Sequence, residues 1–348
     1  MDGIARARGV AMSAEVSVAV IGLGFGANHA RVLDEMSGAR LAAIVDADPE
    51  RLAAAVPGSG TARYTEALDM LHEVRPDAVV VAVPASMHLQ AGLQAISAGA
   101  AVLIEKPLAT TVSEGHVLVE SAREKGVALM AGHIERFNPA LQELRRRVQA
   151  GEIGRVISMT ARRMGAIRYP PRDVNVIHDS AVHDIDAMRW VLGAEVTRVY
   201  AAARSGLKMP VEDSVSGVLH FDSGAMASIE VSWLTARRVR DLAIVGETGM
   251  FVLRYAGQTL EHFKTPSRSG PLQGWSLASA PEEGTAVSEP VEPREQLVLE
   301  LGAFVEAVRA RALMPVTAED GLAAVAIADA MTLSARTGES VTIGSVES

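Results

Sequence analysis

The chain has 348 residues, 49% of them hydrophobic and 22% charged, the balance of a folded globular protein with room for two domains, which excludes disordered and fibrous classes. It contains no cysteine, which rules out a disulfide framework, thiolate metal ligands and a cysteine nucleophile, and suits a reducing compartment such as the cytoplasm. A formal net charge of -9 disfavours nonspecific nucleic-acid binding, and no apolar run approaches the roughly 20 residues that a bilayer span needs.

Residues 1–14 carry Arg6 and Arg8 without an apolar signal core, and read as an unstructured extension. From there to residue 131, short β-branched runs alternate with helical stretches, the pattern of a parallel sheet with crossover helices. Strands are expected at residues 16–21, 41–45, 78–83, 101–104 and 127–130, each nearly all apolar, as suits burial on both faces. Helices are expected at residues 28–36, 51–56, 67–74, 89–98 and 112–125, with Thr111 and Glu114 spaced as a capping box.

The first strand runs into Gly22, Leu23, Gly24, Phe25, Gly26 and Ala27, a G-x-G-x-x-G/A turn with alanine in the third place. Gly22 permits the tight turn and Gly24 lets the backbone approach a pyrophosphate. The helix that follows aims its N-terminal N–H groups at that anion. Asp46 ends the second strand, 24 positions beyond Gly22, where a carboxylate accepts hydrogen bonds from ribose hydroxyls. It favours NAD over NADP, whose extra phosphate it would repel. A turn or N-cap role before Pro49 is the plainer reading of Asp46. Pro84, Ser86 and His88 fall where strand-end loops line the ligand crevice, and His88 equally suits a simple helix start.

The strand at residues 101–104 ends in Glu105, Lys106 and Pro107. An ammonium at that place can hydrogen-bond a developing alkoxide, and a plain surface lysine is the bland alternative. On Gly22-x-Gly24-x-x-Ala27-x-His29, the Val83-Pro84-x-x-x-His88 turn and Glu105-Lys106-Pro107, the chain resembles the glucose-fructose oxidoreductase and inositol dehydrogenase (Gfo/Idh/MocA) family. The resemblance implies that Lys106 takes part in catalysis beside a nicotinamide, that Glu105 lies on the cofactor side, and that the proline bond is commonly cis.

Gly132 to Pro139 reads Gly-His-Ile-Glu-Arg-Phe-Asn-Pro and leads into a helix at residues 140–149. This resembles the start of the family's second domain, an α+β unit whose large open-faced sheet, mixed or antiparallel, covers the active site and commonly mediates association into homodimers or homotetramers. The segment is also similar to the subgroup that oxidises the 3-hydroxyl of UDP-activated sugars, which implies substrate contacts for Arg136 and Asn138.

Asp179 and His183 are i and i+4 on an expected helix, with Asp186 and Trp190 continuing the face. Such a stripe is either solvated or a histidine–carboxylate pair built for proton abstraction. The family pattern Asp-x-x-x-His matches both residues and implies that they are catalytic partners of Lys106. A metal site of His178, His183 and nearby aspartates is the rival idea; the family's chemistry needs none, and no metal is expected. Upstream, Pro170-Pro171-Arg172 and Asp173-Val174 again look like the UDP-sugar subgroup, but Asn175 stands where glycine is expected and His178 where an aliphatic residue is. Arg136, Arg155, Arg162, Arg163, Arg168 and Arg172 flank this region of an acidic chain, and Arg136, Arg163, Arg168 and Arg172 are the candidates to grip a diphosphate. At least half of the six read equally well as a solvated strand.

Further strands are expected at residues 215–221, 226–233 and 242–245, with a hairpin turn at Asp222-Ser223-Gly224, a loop over residues 267–293, and helices at residues 295–311 and 318–335. The expected architecture is α/β: a doubly wound Rossmann sheet in residues 15–131, and a substrate-binding and oligomerisation domain in residues 132–348 whose last helices return to the first domain. The resemblance implies NAD-dependent oxidation of a secondary alcohol of a nucleotide sugar, the 3-hydroxyl of UDP-N-acetylglucosamine or UDP-glucose, feeding a pyridoxal-phosphate aminotransferase. An inositol or free-sugar dehydrogenase and a non-catalytic NAD-binding regulator are the alternatives.

Overall fold

A computed structural model describes residues 15–55, 58, 60–166, 173–206, 210–264, 286–289 and 291–344. Strands β1 (Val16–Ile21), β2 (Ala39–Val45), β3 (Ala62–Tyr64), β4 (Ala78–Val81), β5 (Ala101–Glu105) and β6 (Leu129–Gly132) form a parallel sheet in the order β3-β2-β1-β4-β5-β6. Helices α1 (Gly26–Glu35), α2 (Pro49–Ala54), α3 (Ala67–Val74), α4 (His88–Ser97) and α5 (Val112–Lys125) connect them. The expected strands and helices of this half are all present. The exception to the sequence reading is β3, a short edge strand whose Ala-Arg-Tyr offers no apolar run. At α5, Thr111 accepts from the Glu114 N–H, but the Glu114 carboxylate turns back to Thr110 instead of Thr111, so only half of the capping box forms.

The order of strands reverses between β1 and β4, which opens a crevice at their carboxyl ends. There the two turns touch: Gly22 has φ +89°, and a Cβ on it would lie 2.7 Å from the Ala82 carbonyl oxygen. No other residue type fits both constraints.

The second half begins with a 3₁₀ turn (Ile134–Phe137) and α6 (Pro139–Gln149), then β7 (Val156–Met164), a π turn (Ile177–Ala181) and α7 (Val182–Leu192). Strands β8 (Val196–Arg204), β9 (Ser214–Phe221), β10 (Met226–Ser232), β11 (Val239–Gly246), β12 (Gly249–Arg254), β13 (Thr259–Lys264) and β14 (Ala286–Glu289) follow. Helices α8 (Gln296–Ala310) and α9 (Ala318–Thr337) and strand β15 (Val341–Thr342) end the chain. Among the described residues these strands make a nine-stranded mixed sheet, β14-β13-β12-β11-β7-β10-β9-β8-β15, in which β7 and β10 run parallel and the other neighbours antiparallel. The Asp222-Ser223-Gly224 hairpin joins β9 to β10 as expected. Residues 286–289, expected as loop, pair with β13 instead; their strand signal is masked by the proline, glycine and serine around them.

One hydrophobic core fills both faces of the parallel sheet and takes in Leu297, Leu301 and Phe304 of α8. The other lies between the mixed sheet and α6, α7 and α9. Helix α9 serves both, with Leu322 and Val325 in the first core and Ile327 and Met331 in the second. The outer face of the mixed sheet stays open, carrying Ile157, Tyr200, Val218, Met226 and Val245 exposed. No helix of the described residues is long and apolar enough to cross a membrane.

Candidate active site

The crevice between the β1 and β4 turns is a cleft of about 1070 Å³ lined by Gly22, Gly24, Asp46, Arg51 and Pro84 at one end and by Lys106 and Pro107 at the other. A Cβ at Gly24 would meet nothing within 4 Å, so this backbone faces open space, as close approach by a pyrophosphate requires. The close helix–sheet packing is met at Gly26, against Val20 and Ala82, while Ala27 is exposed. Phe25, half exposed, stands edge-on to His29.

Asp46 accepts from the Leu23 N–H (2.7 Å) and the Asp48 N–H (2.9 Å), so it ties the glycine loop to the end of β2. Each carboxylate oxygen keeps a second lone pair for a ribose hydroxyl. Arg51 lies 3.7 Å from Asp46 at the rim. The glycine loop, the open cleft and this acceptor together fit NAD.

Glu105 does not face the cleft. Its Oε1 meets His29 Nε2 at 2.8 Å, and its Oε2 accepts from the Lys106 N–H. Burial pushes its carboxyl up, but the histidine and the Lys106 charge outweigh that and hold it below the ordinary range. His88 is buried as well, with Nδ1 2.8 Å from the Pro107 carbonyl and Nε2 3.0 Å from the Val83 carbonyl. It clamps the Lys106 loop to the β4 turn, and no ring nitrogen is left for a cofactor. The Lys106–Pro107 bond is cis, as the resemblance implied. Ser86 and Pro84 are exposed at the mouth, and the Ser86 N–H donates to Asp173 from the second half of the chain.

Lys106 extends across the cleft to the π turn, where Nζ donates to the Asp179 carboxylate and the Asp179 carbonyl, both at 2.8 Å. Asp179 also accepts from the Ser180 hydroxyl, which in turn accepts from the Trp233 indole N–H. Burial would raise the Asp179 carboxyl, yet Lys106 and Ser180 hold it below its usual value. His183 is one turn further on. Its imidazole is pushed well below the usual value, first by burial and then by the charges of Arg163, Lys106 and Arg240, so it is neutral at neutral pH. Asp179 is bonded to Lys106 and Ser180, and does not orient His183 as the i, i+4 spacing suggested. His183 Nδ1 is enclosed without a partner, and among the described residues Nε2 makes no hydrogen bond although the side chain is partly exposed. The rest of the expected polar stripe is not solvated: Asp186 is buried and Trp190 lies beneath Arg145.

The arginines chosen from the sequence are mostly committed elsewhere. Arg136 donates to both oxygens of Asp186 and to Asp320, and Arg163 to Asp184 and Glu135; both are about 5% exposed. Carboxylates on either side hold both guanidinium groups more strongly basic than usual. Asn138 is buried as the N-cap of α6. These three brace the fold and leave no free donor set for a diphosphate. Arg162 pairs with Asp241 and Arg155 with Glu247 at the surface, while Arg168 and Arg172 lie outside the described residues.

His178 is engaged between Asn175 Oδ1 (3.0 Å) and Asp329 of α9 (2.9 Å). Asn175 also accepts from the Ile177 and His178 N–H groups. The two departures from the subgroup pattern are therefore one unit that starts the π turn. Among the described residues no group of three or more His, Cys, Asp or Glu is placed to hold a metal ion.

A nucleotide-binding parallel sheet whose cleft ends in a lysine–carboxylate pair beside a neutral histidine defines an NAD-linked dehydrogenase. Residues 16–133 match the family model described as "Oxidoreductase family, NAD-binding Rossmann fold", and residues 141–252 match the "GFO/IDH/MocA C-terminal domain". The chain belongs to the Gfo/Idh/MocA family of oxidoreductases. It is 33% identical to inositol 2-dehydrogenase 2 of Saccharopolyspora erythraea over 94% of this chain and 95% of that one. It is 32% identical to the NAD-dependent scyllo-inositol 2-dehydrogenase of Bacillus subtilis over 64% and 68%. Among solved structures it is similar to UDP-N-acetylglucosamine 3-dehydrogenase from Acidithiobacillus ferrooxidans (TM-score 0.80, 25% identity, 92% and 97% of the two chains). Levoglucosan dehydrogenase in complex with NADH shares the fold (TM-score 0.84, 21% identity, 95% and 100%). The protein is an NAD-dependent oxidoreductase acting on CH–OH groups of the sugar-alcohol type.

Proposed function

We propose that the protein oxidises a secondary hydroxyl of a cyclic polyol or pyranose ring to the ketone, with Lys106, Asp179 and His183 as the catalytic set. The observation that carries this reading is the Lys106 ammonium, held by two 2.8 Å bonds to Asp179 at the end of the nucleotide cleft, with an uncharged His183 beside it. Bound NAD supplies the hydride acceptor. His183, neutral and with Nε2 unengaged, accepts the hydroxyl proton, and Lys106 stabilises the negative charge that develops on that oxygen. Asp179 keeps Lys106 aimed, and Ser180 and Trp233 keep Asp179 in place.

A nucleotide-sugar substrate is the second reading, favoured by the Gly132 to Pro139 segment and by the likeness to the UDP-N-acetylglucosamine 3-dehydrogenase structure. Its product would be a 3-keto sugar, which a pyridoxal-phosphate aminotransferase would convert to the 3-amino sugar. The open outer face of the mixed sheet suits self-association in either case.

The test is NADH formation from NAD with myo-inositol, scyllo-inositol, glucose, UDP-glucose and UDP-N-acetylglucosamine, with a carbonyl trap to pull the equilibrium. Turnover of at least one is expected. Absence of turnover across a panel widened to other ring polyols would contradict the reading.

A further inference from the structure

Strand β11 brings a cation to this site that the sequence reading passed over. Arg240 lies opposite Arg163 of β7, Arg163 lies opposite Val231 of β10, and the Tyr255 N–H donates to the Arg240 carbonyl, so these residues form one row across the sheet. Arg163, Val231 and Tyr255 are buried on the inner face, which places Arg240 on that face too. Trp233, two residues beyond Val231, reaches the Ser180–Asp179–Lys106 chain through its indole N–H. The row is therefore one step from the candidate catalytic set.

The four inner charges of this region divide unequally in their contacts. Arg163 takes up Asp184 through Nε and Nη2 and Glu135 through Nη2, and Gln296 donates to the remaining Glu135 oxygen. Arg240 is half-buried, and among the described residues its guanidinium makes no hydrogen bond and no ion pair. Such a group loses hydration without gaining a partner. Burial, together with Arg163 and with Arg238 two residues away, holds it down to about 10. An arginine present only to brace the fold would be paired, as Arg136 and Arg163 are.

Resting on the ring-oxidation reading above, we infer that Arg240 is the anchor of an oxyanion subsite, and that the substrate bears a carboxylate or phosphate group which Arg240 binds while the ring lies at Lys106 and His183. A planar guanidinium with free donors suits either anion through paired bonds. A neutral polyol would leave its charge uncompensated.

The measurement is kcat/KM for NADH formation with matched neutral and anionic compounds: glucose, glucuronate, glucose 1-phosphate and UDP-glucose. In the wild type the anionic compounds are preferred, and Arg240→Gln lowers the anionic-to-neutral ratio by about ten- to a hundredfold, the usual weight of a charged hydrogen bond. Arg240→Lys keeps part of it. Preference for glucuronate assigns a carboxylate, and preference for the phosphorylated pair assigns a phosphate. A ratio unchanged in Arg240→Gln, or a wild type that prefers glucose, overturns the inference while leaving ring oxidation intact. If none of these four compounds is turned over, ring oxidation is judged on the wider polyol panel, and calorimetric titration of the NADH-saturated protein with the three anions still decides the subsite. Binding that is lost in Arg240→Gln supports it, and binding equal in both proteins overturns it.

Discussion

His183 and Asp179 show how the same two residues acquire different work from their surroundings. Four positions apart, they were expected to pair, but the carboxylate is 2.8 Å from Lys106 and the imidazole is left among cations. Burial and those cations favour the neutral ring, so a rate that depends on His183 as proton acceptor should survive mild acid. The kcat/KM for alcohol oxidation is expected to stay level as pH falls through about 6.5, the ordinary imidazole value, and to decline only below it. An acid limb centred at or above that value, measured with a turned-over substrate, would exclude His183 from the role. Asn175 and His178 were conspicuous in the sequence as misfits, and they prove to be one hydrogen-bonded unit facing α9.

The 3₁₀ turn at Ile134–Phe137 is tied to the helices of the second half through Arg136, which binds Asp186 of α7 and Asp320 at the start of α9. Its sequence context suggested a substrate contact, yet a buried guanidinium with three carboxylate bonds is a brace. Arg136→Ala should destabilise the protein by about 3–5 kcal/mol, the cost of leaving the buried Asp186 carboxylate unpaired. Urea melts would read this directly, and a variant with wild-type stability but a raised KM would restore the substrate role. The parallel strands were legible because burial on both faces makes them continuous apolar runs. Strands of the mixed sheet such as β7 and β8 were harder, since their outer residues, Arg162 and Arg198 among them, alternate with a thin apolar set.

Over the whole molecule, the sequence pointed to the cleft and put Lys106, Asp179 and His183 forward as candidates, because glycine turns, strand-end loops and the Glu-Lys-Pro motif are local signals. It could not rank the arginines. Which guanidinium is spent on a carboxylate and which is left free depends on partners as distant as Arg136 from Asp320 or Arg163 from Asp184. Ser180 and Trp233 were missed for the same reason, being 53 positions apart. Helix α9 contributes to both cores, and so fixes the sheet that carries Arg240 and Trp233 against the cleft that carries Lys106.

The central claim is that Lys106 does chemistry at the end of an NAD cleft. It is tested most directly by comparing Lys106→Ala with the wild type in NADH formation from a turned-over ring polyol or sugar, while NAD binding is followed by calorimetry. A fall in kcat of about a hundred- to ten-thousandfold is expected, in protein that still binds NAD. Wild-type turnover in Lys106→Ala would contradict it.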